Sequence, residues 1–129
     1  MQNKILVVED SDDAREALTK LLELDNFTVI AAGDGLKGVS AARAEHPDLI
    51  ITDINMPHLS GIEMIKMLRK EDDFRTVPIV VITAYGQSVS MQALEVGADS
   101  VMTKPFEYDR LTDTVERLLS NPGPDCHCP

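Results

Sequence analysis

The sequence predicts an α/β fold: a five-stranded parallel sheet, in the order 2-1-3-4-5, with five helices covering both faces in a three-layer sandwich. Three observations predict it. Short apolar runs rich in Val and Ile recur along the chain, stretches of helical periodicity separate them, and each run ends in a polar or charged residue. Strands that alternate with helices form a parallel sheet covered on both faces, and right-handed crossovers leave few topologies.

The elements follow in order. Lys4–Val8 is four apolar residues after a lysine, the first strand. Ser11-Asp12-Asp13 starts a helix with a cap and first-turn acids. Ala14, Ala17, Leu18, Leu21 and Leu22 give that helix an apolar stripe. Asn26 tolerates the left-handed conformation that ends it. Residues 27–32 form a second strand. Asp34 caps a short helix with Leu36, Val39 and Ala42 as its buried stripe, and Pro47 closes it. The third strand, Asp48-Leu49-Ile50-Ile51-Thr52-Asp53, carries three consecutive apolar residues, the mark of a strand buried on both faces.

Met56-Pro57 then makes a loop, and Ser60-Gly61-Ile62-Glu63 is a capping box. Ile62, Ile65 and Leu68 form the stripe of that helix, with Met64 and Met67 at its edges; residues 69–75, mostly charged, read as a solvated helix end and loop. Pro78 opens the fourth strand, 79–82. A helix over Gln87–Val96 ends at Gly97 in a C′ position. Ser100–Thr103 is a short fifth strand. Residues 107–120 form the last helix, with Leu111, Val115, Leu118 and Leu119 on one face, and Asn121-Pro122-Gly123-Pro124 stops it. The division is a domain at 1–120 and a flexible tail at 121–129.

Bulk properties narrow the function. A chain of 129 residues is one domain with room for a real core. No apolar run approaches the roughly 20 residues of a membrane span, and Met-Gln-Asn-Lys leads straight into a strand without a signal-peptide pattern. The expectation is a cytoplasmic protein. A net charge of −10 opposes direct binding to nucleic acid, and suits a site that gathers carboxylates around a cation. Cys126-His127-Cys128 sits in a Pro/Gly-rich tail. A closed zinc site needs about four ligands, and exposed thiols are the better reading.

In a parallel sheet the strands end at one edge, so Glu9, Asp10, Asp53, Thr83 and Lys104 arrive at one rim. Ligands of such sheets bind there, where strand order reverses between the first and third strands. Any one of these residues alone is an ordinary strand end or turn; their joint arrival is the signal. Three carboxylates together repel one another. A hard divalent cation compensates, and oxygen ligands with room for water select Mg²⁺. A carboxylate kept ionised in this way can attack phosphorus, a transfer that needs charge neutralisation more than acid–base groups. Lys104 supplies a second cation and Thr83 a hydroxyl.

On these residues the chain resembles the response-regulator receiver domains of two-component signalling, of the chemotaxis-Y-like kind. The matching pieces are Ile5-Leu6-Val7-Val8-Glu9-Asp10, Asp53-Ile54-Asn55-Met56-Pro57-His58-Leu59-Ser60-Gly61, Pro78-Ile79-Val80-Val81-Ile82-Thr83-Ala84, and Gly97-Ala98-Asp99 through Lys104-Pro105-Phe106, together spanning about residues 4 to 119. The resemblance implies a flavodoxin-like fold and a signalling domain rather than an enzyme. It implies that Asp53 takes a phosphoryl group from the phosphohistidine of a sensor histidine kinase or histidine phosphotransfer protein, and that this switches binding to a downstream effector protein. It implies that Asp10, Asp53 and the Asn55 carbonyl hold Mg²⁺, with Glu9 acting mainly through water, that Thr83 and Lys104 hold the phosphoryl oxygens, and that Lys104-Pro105 is cis.

The chain departs from the family at Val101, where members often carry Tyr or Phe three residues before the lysine. Ring burial at this position cannot be its readout. Asn55 and Tyr85, two residues after Asp53 and Thr83, should border the site mouth and tune the lifetime of the acyl phosphate.

Other readings compete. Gly33-Asp34-Gly35-Leu36-Lys37-Gly38 matches Gly-x-Gly-x-x-Gly after a strand and before a helix, the fingerprint of a nucleotide-binding protein. That reading leaves Glu9, Asp10, Thr83 and Lys104 unexplained. A receiver-like binding module without phosphorylation would have lost an acid, the threonine or the lysine, and none is missing. A phosphatase with an aspartyl nucleophile would carry Asp-x-Asp after the first strand, which Glu9-Asp10-Ser11-Asp12 fits poorly.

Overall fold

Consecutive residues of a strand point to opposite faces, and here that alternation divides the core in two. Ile5, Val7, Leu49, Ile51, Val80 and Ile82 face one side; Leu6, Val8, Ile50, Ile79 and Val81 face the other. The structure, a computed structural model, describes residues 3–54, 56, 58–84, 87–104 and 106–120. Asn55, Tyr85, Pro105 and the tail with Cys126, His127 and Cys128 lie outside the described residues, and so do the readings that rest on them.

Strands β1 (Lys4–Val8), β2 (Thr28–Ala32), β3 (Leu49–Asp53), β4 (Ile79–Thr83) and β5 (Ser100–Thr103) alternate with α1 (Asp12–Leu24), α2 (Gly35–Glu45), α3 (Gly61–Arg69), α4 (Gln87–Val96) and α5 (Tyr108–Ser120). The sheet is wholly parallel in the order β2-β1-β3-β4-β5, which is the flavodoxin-like topology expected. Leu22 of α1 with Leu111 and Val115 of α5 cover the first face; Val39 and Ala42 of α2, Met64, Ile65 and Leu68 of α3 and Ala93 of α4 cover the second. All five residues of β3 and all five of β4 are buried, as central parallel strands require.

The caps act as expected. Ser11, Asp34 and Ser60 side chains accept from the amides of Ala14, Lys37 and Glu63. Asn26 is left-handed at φ 71°, and His46 ends α2 in the same region at φ 48°.

Helix faces differ from expectation in three places. In α1 only Leu22 of the expected stripe is buried; Ala17 is exposed and Leu21 is 40% exposed, because the helix meets the sheet along a narrower line than its apolar period. The buried stripe of α2 is Gly35, Gly38, Val39 and Ala42, while Leu36 is 52% exposed. A Cβ at Gly35 would lie 2.2 Å from the Leu59 carbonyl oxygen, and one at Gly38 would lie 2.9 Å from Val8 and Met64. The helix turns its glycines inward and Leu36 rotates off the face. In α3 the stripe is Gly61, Met64, Ile65 and Leu68, so Met64 sits in the core rather than at the edge.

The segment after α3 is not simply solvated. Phe74 is 1% exposed within a single 3-10 turn, Asp72–Phe74. The Arg69 guanidinium donates to the carbonyls of Phe74 (2.7 Å), Val77 (2.7 Å) and Gly97 (2.7 Å) and to the Asp99 carboxylate (3.0 Å). Asp99 in turn accepts from the Ile79 amide at 2.9 Å. One side chain therefore ties the end of α3, the entry to β4 and the turn before β5, because a planar fork of donors can meet several carbonyls at once.

Candidate functional site

The order of strands reverses between β1 and β3, and the chain leaves both at the same edge of the sheet. Glu9 and Asp10 follow β1, Asp53 ends β3, Thr83 ends β4, and Lys104 follows β5. Carboxylate oxygens of Glu9, Asp10 and Asp53 all lie within 4.8 Å of one another. Lys104 reaches into the cluster, with Nζ 3.2 Å from Asp53 Oδ2 and 3.3 Å from Glu9 Oε1. Thr83 is fully buried, and its carbonyl accepts from the Lys104 amide at 2.8 Å.

The backbone fixes Asp53 closely. The Ile54 amide donates to Asp53 Oδ1 at 2.7 Å, and the Thr52 hydroxyl donates to the Asp53 carbonyl at 2.8 Å. Only 9% of Asp53 is exposed. α3 packs onto the end of β3 through Gly61, whose amide donates to the Ile54 carbonyl at 2.8 Å. Beside them Glu9 is 6% exposed, and its Oε2 accepts from the Ser11 amide at 3.1 Å. Asp10 lies open to solvent.

Charge is unevenly matched here, three carboxylates against one ammonium. Burial raises the Glu9 carboxyl above its usual range; the Ser11 amide opposes this, the Asp53 charge adds to it, and Lys104 opposes it. Burial pulls the Lys104 ammonium down, but the combined attraction of Asp53 and Glu9 outweighs it and leaves the group above its ordinary value. Being raised, Glu9 contributes stability that is fully present below its unfolded-state pKa and lost as pH climbs through the folded value. Glu9→Gln should therefore stabilise the metal-free protein at neutral pH and should lose less stability than wild type between acid and neutral pH. Urea unfolding in chelator across that range checks both; equal stability at every pH would contradict it.

The donor set is all oxygen, anionic and close-spaced, and this fits a hard divalent cation. The structure brings together every described residue expected at the rim. Val101 is half-buried in β5 against the core under α2, α3 and α4. The Gly-x-Gly-x-x-Gly segment does not serve as a phosphate cradle: Gly35 and Gly38 are packed against Leu59, Val8 and Met64, and the Asp34 carboxylate takes the Lys37 amide at 2.8 Å. The pattern marks close helix–sheet packing.

Sequence reasoning missed two contributors. Gly61 stands in the capping box and in the stretch that resembles the family, but neither reveals that a Cβ there would stand 2.2 Å from the Asp53 carbonyl oxygen. Arg15 has no role in the sequence reading, yet its Nη1 donates to the Glu9 carbonyl at 2.8 Å. Neither contact has a signature in spacing or composition.

Comparison with known proteins agrees with this geometry. The chain is 37% identical over 123 residues to the transcriptional regulatory protein CseB of Streptomyces coelicolor, an alignment covering 95% of this chain and 51% of that protein. The chain thus spans about half the length of that relative. Among solved structures it superimposes on the receiver domain of a signal transduction histidine kinase from Syntrophus aciditrophicus with a TM-score of 0.86 and 34% identity, covering 92% of this chain and 91% of that one. It also matches the receiver domain of a sensor histidine kinase from Pseudomonas aeruginosa PAO1, solved with a magnesium ion coordinated in its active-site cleft, with a TM-score of 0.87 and 26% identity over 93% of this chain and 99% of that one. The response regulator receiver domain model matches residues 5–116. With that match over most of its length, and with the acidic cluster, the threonine and the lysine at the rim of a β2-β1-β3-β4-β5 sheet, the chain belongs to the response regulator receiver domain family of two-component signalling.

Proposed function

We propose that this domain is a phosphoacceptor in which Asp53 takes a phosphoryl group from the phosphohistidine of a sensor histidine kinase or histidine phosphotransfer protein. The observation that carries this reading is the setting of Asp53: a nine-tenths-buried carboxylate, held by the Ile54 amide, 3.2 Å from the Lys104 ammonium and beside two further carboxylates. A carboxylate oxygen of Asp53 attacks phosphorus, a P–O bond forms, and the P–N bond breaks. The electron pair leaves with the imidazole nitrogen, which takes up a proton, and Asp53 becomes an acyl phosphate.

Lys104 loses its ion pair to the reacting carboxylate and can turn its ammonium to the arriving phosphoryl oxygens. Thr83, at the neighbouring strand end, offers its hydroxyl to a second one. Glu9, Asp10 and Asp53, with the Asn55 carbonyl implied by the family resemblance, would hold Mg²⁺. When bound, Mg²⁺ supplies the positive charge that offsets the carboxylates and the phosphoryl oxygens. The Pseudomonas relative with magnesium in its cleft supports that assignment. The phosphorylated state would alter binding to a downstream effector protein in the cytoplasm. Among the described residues no helix is long and apolar enough to cross a membrane.

Intact mass after incubation with acetyl phosphate and Mg²⁺ tests the reading. One phosphoryl adduct, absent with chelator, is expected. If no adduct forms and beryllofluoride leaves the NMR spectrum unchanged, the domain is not a phosphoacceptor.

A further inference from the structure

We propose that Arg15 is a positioning residue: it sets the turn between β1 and α1 so that Glu9 and Asp10 face Asp53. This inference rests on the reading of that rim as a cation site. The peptide flanks of Glu9 are held on both sides. Its amide donates to the Ala32 carbonyl at 3.1 Å, and its carbonyl accepts from Arg15 Nη1 at 2.8 Å. That carbonyl belongs to the peptide joining Glu9 to Asp10, so the bond orients the plane from which Asp10 departs. The other arm of the guanidinium, Nη2, pairs with Asp12. A single planar group thus spans the turn from Glu9 to Asp12, and within that arc the Ser11 amide meets Glu9 Oε2 at 3.1 Å.

The guanidinium is backed rather than free. Three-quarters of the Arg15 side chain is buried, with 25% exposed. It lies across Gly33 of the loop between β2 and α2, where an added Cβ would come within 3.3 Å of Nη1. Helix energetics give the residue only its i,i+3 pair with Asp12, which is exposed. A cation in the first turns of α1 opposes the helix dipole, which Asp12 and Asp13 complement. The contact to the Glu9 carbonyl accounts for an arginine here, since a lysine has no second fixed arm to reach Asp12 at the same time.

The test uses the full chain as wild type, Arg15→Ala and Arg15→Lys, titrated with MgCl₂ alone. The readouts are NMR shifts of the Asp10 and Ser11 amides, and exchange of the Ser11 amide in chelator. Arg15→Ala should bind Mg²⁺ about tenfold more weakly, the scale of losing a group that orients a metal ligand, and Arg15→Lys should fall between it and wild type. In chelator the Ser11 amide should exchange faster in Arg15→Ala while amides of β3 stay protected, which a general loss of stability would not produce. Binding within twofold of wild type, or unchanged Ser11 exchange, overturns the proposal. Should Arg15→Ala fail to fold, Arg15→Lys carries the same comparison, and equality with wild type overturns it. Should wild type itself show no Mg²⁺ response, the cation reading fails, and Ser11 exchange in chelator alone decides the role of Arg15.

Discussion

Asp53→Asn should take up no phosphoryl group from acetyl phosphate and Mg²⁺, with incorporation at least about a hundredfold below wild type. The amide oxygen of Asn can still accept the Ile54 amide that now meets Asp53 Oδ1 at 2.7 Å, so the end of β3 should keep its shape. What disappears is the proposed nucleophile, because an amide oxygen lacks the charge to attack phosphorus. The substitution also removes one of three clustered carboxylates, and the metal-free fold should tolerate that. Intact mass and the amide spectrum of the variant together check the expectation. An adduct forming at the wild-type rate in a folded Asn variant would put the acceptor elsewhere. Lys104 touches the same site, its ammonium 3.2 Å from Asp53 and 3.3 Å from Glu9.

Gly61→Ala should destabilise the domain by about 2–4 kcal/mol, a large share of the roughly 5–15 kcal/mol that holds a domain of this size together. On helix propensity alone the sign would be opposite, since alanine is favoured over glycine within a helix by about 1 kcal/mol. Packing decides. A Cβ at Gly61 would lie 2.2 Å from the Asp53 carbonyl oxygen and 2.9 Å from Ile54 Cα, both backbone atoms that cannot swing aside. α3 would have to lift from the end of β3, breaking the 2.8 Å bond from the Gly61 amide to the Ile54 carbonyl. The same strain reaches the Asp53 carbonyl, so phosphoryl uptake should fall with stability. Gly33→Ala is the matched control: its Cβ would meet only the flexible end of Arg15, at 3.3 Å, and should cost less than about 1 kcal/mol. Urea unfolding of the two variants separates the cases. A Gly61→Ala protein as stable as wild type would show that this contact does not constrain the helix.

The sequence by itself determined the strands, the parallel order and the rim. Strand position follows from runs such as Leu49-Ile50-Ile51 and Ile79-Val80-Val81-Ile82, whose burial on both faces admits no polar partner. Once the strands are parallel, their ends share an edge, and Glu9, Asp10, Asp53, Thr83 and Lys104 meet there by topology alone. Helix caps at Ser11, Asp34 and Ser60 were legible because each depends on a side chain meeting a backbone amide only three residues away.

Only the tertiary structure decided which way α2 turns, why Gly35 and Gly38 are glycines, what Arg69 and Arg15 hold, and that Phe74 is buried. Most of these depend on an approach between segments distant in the chain, as between Gly35 and Leu59 or between Arg69 and Gly97, while Arg15 reaches back six residues to the Glu9 carbonyl across a turn that helical spacing does not describe. Local spacing encodes period and capping, which are properties of one segment. It carries no record of which backbone atoms from another segment will come within 3 Å, and close approach is what fixes a glycine, aims a guanidinium and holds Asp53 in place.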